Sequence, residues 1–173
     1  MKRLICYGPE SSGKSTLGMA LSRKFSKPLV PEYGRSYFQH KMDRGEPQFS
    51  IDDVMPIARV QQRLQQEALQ DQPWVICDTD LLQLAVYSQH YYNAVPDELV
   101  RMIRQQPAGH YLLCRPDTPW VGDDLRDRPD DREKLFALFE DGLVHYNQAY
   151  TVIHGNHEHR IKTASHIIAS QFA

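Results

Sequence analysis

A glycine-rich segment near the N-terminus has the residue types and the spacing of a phosphate-binding loop. Residues 8–16 read Gly-Pro-Glu-Ser-Ser-Gly-Lys-Ser-Thr, which matches the pattern G-x-x-x-x-G-K-[ST]. The two glycines allow a tight backbone turn, so that successive N–H groups reach phosphate oxygens. A lysine ammonium group neutralises the β- and γ-phosphates, and a serine hydroxyl is a hard oxygen ligand for Mg²⁺. The segment therefore predicts a site for ATP and Mg²⁺.

Within this loop we assign Lys14 to the phosphates, as a catalytic cation, and Ser15 to the metal ion. The residues predicted to line the nucleotide here are Gly8, Glu10, Ser11, Ser12, Gly13, Lys14, Ser15 and Thr16. A chance glycine turn is the alternative, but the loop follows an apolar segment and opens a helical one, as the motif requires. A GTPase would carry an Asn-Lys-x-Asp element before its last helix, and the sequence has none, which favours ATP.

Two acidic residues, Asp78 and Asp80, directly follow the apolar segment at residues 74–77. Ligands of an open parallel sheet gather at the carboxyl ends of its strands, so both side chains are placed to do chemistry. The pattern is that of a Walker B element, which predicts Asp78 as a ligand of Mg²⁺, directly or through water. Asp80 is predicted to serve catalysis and acceptor binding. Helix capping is the alternative for either residue, because a helical segment follows at once.

A third carboxylate, Glu32, follows the apolar segment at residues 28–31, with Tyr33 and Arg35 close behind it. The second strand of such a sheet neighbours the acceptor side, so we expect these three residues to bind the phosphoryl acceptor. One of Asp78, Asp80 and Glu32 is expected to orient or deprotonate the acceptor hydroxyl. The alternative for Glu32 and Arg35 is a surface ion pair of little energetic consequence.

Residues 115–132 form a segment rich in Pro, Asp and Arg that follows the fourth apolar segment. We predict a lid that closes over the nucleotide and excludes water. Arg126 is then a catalytic cation for the transferring phosphoryl group, Arg128 contacts the nucleotide, and Arg132 is a further candidate. Trp120 is expected to stack on an aromatic acceptor, as is Tyr33, and simple packing is the alternative for both rings. The alternative for the whole segment is a solvated charged loop.

The last predicted strand leads into residues 154–160, which read His-Gly-Asn-His-Glu-His-Arg. P-loop kinases place the adenine at this position, and Gly155 lets the backbone approach a base ring closely. A histidine metal site is the alternative, although no second cluster elsewhere in the chain completes a ligand set.

These residues need a scaffold, and the apolar segments supply one. Each is continuous rather than alternating, which indicates parallel strands that are covered on both faces. The predicted strands are residues 4–7, 28–31, 74–77, 111–114 and 150–154. The predicted helices are residues 14–25, 52–69, 81–92, 97–104, 131–146 and 159–172. The alternation predicts a three-layer αβα fold around a five-stranded parallel sheet, as in P-loop kinases of nucleosides and nucleotides.

The composition bounds the classes of function. The length of 173 residues indicates one domain over residues 1–173. The formal net charge of -2 gives no indication of a nucleic-acid partner, and we expect none. The phosphate-binding loop begins at residue 8, so we expect no signal peptide before it. No run approaches the roughly 18 apolar residues of a membrane span. The three cysteines are far apart and lie in apolar segments, which indicates buried thiols. We therefore expect a cytoplasmic protein with a small-molecule partner; its oligomeric state is left open.

The order of the motifs resembles the ribosylnicotinamide kinase domain of the NadR family. The matching stretches span nearly the whole chain and are residues 8–17, Pro-Glu-Tyr-Gly-Arg at 31–35, Asp-Thr-Asp at 78–80, residues 119–126 in part, and residues 153–155 with Arg160. In the lid, Gly-Asp-Asp at residues 122–124 replaces the more usual Asp-Asp-Gly.

This resemblance implies ATP-dependent phosphorylation of the 5′-hydroxyl of nicotinamide riboside, a step of NAD biosynthesis that gives nicotinamide mononucleotide. Longer members of the family add an adenylyltransferase domain, whose His-x-Gly-His element is absent here. The chain is therefore expected to be a stand-alone kinase. Two alternatives are a kinase for another nucleoside or small alcohol, and a non-catalytic ATP sensor, which would need only the loop.

Overall fold

The computed structural model describes residues 1–46, 49–117 and 132–172. Its centre is a sheet of five parallel strands in the order β2-β3-β1-β4-β5. The strands are β1 (Arg3–Tyr7), β2 (Leu29–Val30), β3 (Val75–Asp78), β4 (Gly109–Cys114) and β5 (Ala149–Ile153). This confirms the predicted fold class and places all five strands within the predicted apolar segments or within two residues of them.

The sheet is buried on both faces. On β1, Ile5 and Tyr7 belong to one hydrophobic cluster, whereas Leu4 and Cys6 belong to the other. Successive side chains of a strand point to opposite faces, so a strand that is covered on both sides must be apolar throughout. The continuous apolar runs of the sequence therefore have a direct structural cause.

Seven helices in the described residues surround the sheet. They are α1 (Lys14–Phe25), α2 (Tyr33–Asp43), α3 (Ile51–Gln70), α4 (Leu81–Tyr92), α5 (Asp97–Gln105), α6 (Arg132–His145) and α7 (His157–Gln171). Helices α1 and α7 cover one face, and α3 to α6 contribute to the core on the other. None of the helices in the described ranges combines the length and the apolar character that crossing a membrane requires.

Helix α2 is not among the predicted helices, because only one of its residues, Gly34, is buried and no apolar stripe marks it. Polar contacts hold it against α3 instead. Lys41 Nζ lies 2.9 Å from a carboxylate oxygen of Asp53, and the hydroxyl of Tyr37 donates to the same residue at 2.7 Å. These contacts fix the segment that begins directly after Glu32.

Candidate functional site

The phosphate loop joins β1 to α1 and can be built only with glycine at its start. Gly8 has a φ of 134°, and a Cβ atom there would lie 2.7 Å from the carbonyl oxygen of Cys114. Gly13, with a φ of 83°, is the N-cap of α1. The loop therefore leads tightly from the sheet into the N-terminus of a helix, where unpaired backbone N–H groups favour an anion.

The side chains of the loop brace it from within. The ammonium group of Lys14 donates to the carbonyl oxygen of Pro9 at 2.8 Å, and the hydroxyl of Ser12 donates to the same oxygen at 2.7 Å. Lys14 is buried, whereas Ser15 and Thr16 are exposed at the start of α1. The arrangement holds one positive charge inside the loop and presents hydroxyl groups at its edge.

Asp78 ends β3 beside the start of the loop. It pairs in register with Cys6 on β1, two residues before Gly8. Its Oδ1 atom is buried and has no hydrogen-bond partner among the described residues. A buried carboxylate oxygen without a donor fits a cation.

Asp78 and the hydroxyl of Ser15, the two predicted metal ligands, carry oxygen atoms of the kind that Mg²⁺ prefers. Mg²⁺ is usually held by one or two carboxylates together with phosphates and water, rather than by a protein cage. The described residues contain no group of three or more His, Cys, Asp or Glu side chains that could enclose a metal ion.

Asp80, two residues further on, has a different environment. Its Oδ1 accepts from the backbone N–H of Leu82 at 3.0 Å and caps α4. Its Oδ2 accepts from Arg3 Nη1 at 3.0 Å and from the hydroxyl of Tyr111 at 2.5 Å. The structure thus gives Asp80 the capping role that was the alternative, and adds a buried ion pair. Thr79, between the two aspartates, has a φ of 66° and donates its N–H to Cys6.

Glu32 lies between β2 and α2 and lines a small cleft. Its Oε1 accepts from Gln83 Nε2 at 2.8 Å. Desolvation raises the pKa of Glu32 above the ordinary carboxyl value, and the charge of Lys14 opposes this rise, whereas the charge of Asp78 adds to it. Arg35 and Glu10 also act on this carboxyl group. The fold therefore gathers the predicted charges of the P-loop, of the end of β3 and of the start of α2 around Glu32.

The cleft extends from Glu32 along α3 and α4. Its lining residues are Glu32, Gly34, Ile57, Gln61, Thr79, Asp80, Gln83 and Leu84. Gln61 on α3 accepts from the N–H of Tyr33 at 2.8 Å and donates to the carbonyl oxygen of Pro31 at 3.1 Å. It thereby fixes the backbone on both sides of Glu32. The ring of Tyr33 packs against that of Tyr37, with 6.1 Å between centroids.

Gln61 and Gln83 are functional candidates that the sequence reasoning missed. Gln61 recurs at helical spacing with the buried residues Ile57 and Val54, so a polar residue on an apolar face was the available signal. Gln83 stands three residues after the capping Asp80 and gives no comparable signal.

Arg160 on α7 is a third residue without a predicted role, although it lies within a matching stretch. Its guanidinium donates to the carbonyl oxygens of Ser12 at 2.6 Å, Gly155 at 2.8 Å and Arg115 at 3.0 Å, and it pairs with Asp117. The N–H of Gly155 also donates to Asp117, at 2.7 Å. One buried arginine therefore joins the phosphate loop to the predicted adenine-side loop and to the residues that follow β4.

Three predicted site residues, Trp120, Arg126 and Arg128, lie outside the described residues, as does most of the predicted lid. Arg132, at the end of that segment, is the first residue of α6. The side chain of Arg115, at its start, lies 5.0 Å from the centroid of the Phe136 ring on α6.

Comparison with known proteins shows the family and the fold of the chain. A family described as an AAA domain matches residues 3–160. The trifunctional NAD biosynthesis/regulator protein NadR of Escherichia coli (strain K12) is 27% identical over 153 residues. That alignment covers 84% of this chain but 37% of the relative, so the chain spans little more than a third of that protein.

Solved structures show the same fold. A crystal structure of NadR protein in complex with NR superposes with a TM-score of 0.74 at 17% identity and covers 99% of this chain and 52% of the other. Deoxyadenosine kinase from M. mycoides, with the products dCMP and dCDP bound, gives a TM-score of 0.69 at 15% identity and covers 97% and 99% of the two chains. The fold is thus that of P-loop nucleoside kinases. Because the family match extends over residues 3–160, this protein belongs to the AAA-domain family of P-loop proteins and is related to NadR.

Proposed function

We propose that this protein is a nucleoside kinase that transfers the γ-phosphoryl group of ATP to the 5′-hydroxyl of nicotinamide riboside. The observation that carries the proposal is the position of Glu32. It is a carboxylate with a raised pKa, in a cleft, under the combined influence of Lys14 on the phosphate loop and Asp78 at the end of β3. A titratable group that is perturbed by burial and by a specific charge set is typical of an active site.

On the nucleotide side, the backbone of residues 8–15 binds the phosphates, and Lys14 moves from the carbonyl oxygen of Pro9 to a phosphate oxygen. Glu10, Ser11, Ser12, Gly13 and Thr16 complete this lining. Ser15 and Asp78 hold Mg²⁺, which neutralises phosphate charge when bound. Gly155 faces the adenine, at a distance from the phosphates that Arg160 fixes.

On the acceptor side, Glu32 accepts the proton of the attacking hydroxyl. The raised pKa of Glu32 suits this role, because a base works best with a pKa closer to the operating pH. Tyr33 and Arg35, next along the chain, contact the rest of the acceptor. Asp80 is a positioning residue in this scheme, since hydrogen bonds within the protein already occupy both of its oxygens.

Further positive charge for the transferring phosphoryl group comes from the proposed lid at residues 115–132. Arg126, with Arg128 and Arg132, stabilises the transferring phosphoryl group, and Trp120 stacks on the acceptor ring. Residues 1–173 act as one kinase domain in this proposal.

Nicotinamide riboside is favoured as the acceptor by the relationship to NadR, whose structure with NR superposes over 99% of this chain. Another nucleoside is the second candidate, because the deoxyadenosine kinase of M. mycoides matches this chain almost end to end.

The test is ADP release with Mg·ATP and one acceptor at a time: nicotinamide riboside, deoxyadenosine, cytidine, uridine, and a blank without acceptor. We expect stimulation over the blank by nicotinamide riboside in preference to the others. Stimulation by another nucleoside alone would keep the kinase and replace its substrate. Tight ATP binding without stimulation by any acceptor would favour the sensor instead.

A further inference from the structure

Gln83 lies in the first turn of α4, directly after the capping Asp80, and points into the cleft beside Glu32. Only 6% of it is exposed, and its Nε2 donates to Glu32 Oε1 at 2.8 Å. An ionised carboxylate accepts hydrogen bonds and cannot donate them, so the amide NH₂ group must be the end that faces Glu32. The carbonyl end, Oε1, is therefore turned away from Glu32.

That carbonyl oxygen is buried and has no hydrogen-bond partner among the described residues. Buried polar atoms are almost always paired, because burial without a partner costs the lost interaction with water. The unpaired end of Gln83 therefore needs a donor, and it belongs to a residue that lines the cleft.

The other glutamine of the cleft shows the contrast. Gln61 uses its oxygen for the N–H of Tyr33 and its nitrogen for the carbonyl oxygen of Pro31. Both of its polar ends are therefore occupied by backbone, and its role is to hold the segment around Glu32. Gln83 has one end occupied by the carboxylate and one end that no described residue pairs.

The geometry points to a role for each end of Gln83: its nitrogen holds Glu32 in position, and its oxygen accepts a hydrogen bond from a ribose hydroxyl of the acceptor. This inference rests on the proposed function and extends it to the part of the acceptor that is recognised. Glu32 meets the 5′-hydroxyl, and the two ends of Gln83 belong to one small planar amide. The donors closest to a 5′-hydroxyl in a nucleoside are the 2′- and 3′-hydroxyls of the same sugar, so these are the groups within reach of Oε1.

A site that is built to pair a substrate hydroxyl rejects analogues that lack it, because the protein group is then left buried and unpaired. We therefore expect the wild-type protein to prefer a riboside to the matching 2′- or 3′-deoxyriboside. Replacement of the amide by a thioether of similar size should remove this preference without affecting the nucleotide.

The experiment compares Gln83→Met with Gln89→Met, an exposed glutamine on the same helix. For each protein, kcat/KM is measured with nicotinamide riboside and with its 2′-deoxy and 3′-deoxy forms. We expect a wild-type preference of about 100-fold or more for the riboside over one of the deoxy forms, and about threefold or less in Gln83→Met. The KM for ATP should stay the same, and Gln89→Met should behave as wild type.

The pH profile tests the role of the nitrogen, Nε2. Loss of the Nε2 contact removes a hydrogen bond to the charged form of Glu32, so the acid limb of kcat/KM should move to higher pH in Gln83→Met. A residue that merely filled space would not move it. Gln83→Asn, which withdraws the amide by one methylene group, should show the same two changes and serves if the methionine variant does not fold.

Two results would overturn the inference, and they are distinguishable. In the first, the wild type phosphorylates the riboside, but Gln83→Met keeps the full wild-type preference and an unchanged acid limb. Gln83 then neither binds the sugar nor positions Glu32, and the proposed kinase activity is unaffected. If the wild type phosphorylates no nucleoside at all, the proposed function fails and the inference fails with it.

Discussion

Two carboxylates at neighbouring strand ends differ in what surrounds them. Glu32 has an amide partner, partial exposure and a raised pKa, whereas Asp78 is buried and one of its oxygens accepts no hydrogen bond from the residues that the structure describes. Two carboxylates with such different surroundings can take different roles in one site. This difference supports the proposal that Glu32 accepts the proton and that Asp78 holds the metal ion.

The pH dependence of catalysis tests the assignment of Glu32. The base must be ionised, and its pKa is raised, so activity should be lost as the pH falls through a value above the ordinary glutamate pKa of about 4.3. Glu32→Gln should abolish this acid limb and reduce kcat by roughly 100-fold to 10,000-fold. The measurement is kcat/KM against pH for both proteins.

The matched control is Glu98→Gln, which changes an exposed carboxylate paired with Arg59. It should leave the pH profile as in the wild type. An acid limb that survives unchanged in Glu32→Gln would contradict the assignment and move the base to another carboxylate.

The metal dependence tests the assignment of Asp78. Asp78→Asn keeps the size of the side chain but removes the charge that fits Mg²⁺, so we expect kcat to fall by about 100-fold or more and the Mg²⁺ concentration for half-maximal rate to rise. A Mg²⁺ titration of the rate measures both. Asp71→Asn, on an exposed residue before β3, is the control. An unchanged Mg²⁺ midpoint in Asp78→Asn would show that the metal ion is held elsewhere.

Among the elements, β1, β4 and α4 are joined by one buried polar cluster. Asp80 caps α4 and accepts from Arg3 on β1 and from Tyr111 on β4. The cluster fixes the start of α4, which carries Gln83, relative to the strands that lead into the phosphate loop. Its function is therefore positional.

Truncation of its members should destabilise the fold unequally. Arg3→Met leaves the buried carboxylate of Asp80 without its counter-charge and should lower the free energy of unfolding by about 3–5 kcal/mol. Tyr111→Phe removes one neutral donor and should cost about 1–2 kcal/mol. Urea unfolding measures both. The exposed pair of Arg59 with Glu98 is the control, because Arg59→Met should leave the free energy of unfolding nearly unchanged. Equal costs for Arg3→Met and Arg59→Met would contradict a structural role for the cluster.

Arg160 joins α7 to the phosphate loop and to the loop that contains Gly155. Lysine keeps the charge but cannot make the same planar set of contacts. Arg160→Lys should therefore lower kcat/KM for ATP by about tenfold to 100-fold, with a smaller effect on the KM of the acceptor. Steady-state kinetics with each substrate varied in turn measure this, and the exposed Arg63→Lys is the control. A larger change in the KM of the acceptor than in kcat/KM for ATP would contradict the role of Arg160 on the nucleotide side.

At the scale of the whole molecule, the sequence predicts what depends on local patterns. The continuous apolar runs indicate buried parallel strands, and the glycine-rich motif fixes where the first of them ends. The five-stranded parallel sheet and the meeting of Lys14, Asp78 and Glu32 follow from that order, and the structure confirms the sheet and brings these charges together.

What the sequence does not predict depends on contacts between distant segments. The pairing of Asp80 with Arg3 joins residues 77 positions apart, and Arg160 reaches Ser12 over 148 positions. Helix α2 is held by polar contacts to α3 rather than by an apolar stripe, so periodicity does not reveal it. Gln83 is a functional candidate only because the fold places its side chain next to Glu32.

The most direct test of the proposed kinase is the identity of its product. The protein would be incubated with Mg·ATP and nicotinamide riboside, and the phosphorus-containing products followed by ³¹P NMR. We predict a new phosphomonoester signal, coupled to the 5′ protons of the sugar, that grows in step with ADP and is absent from Lys14→Ala. Release of ADP with inorganic phosphate as its only partner, or of neither, would contradict phosphoryl transfer to the 5′-hydroxyl.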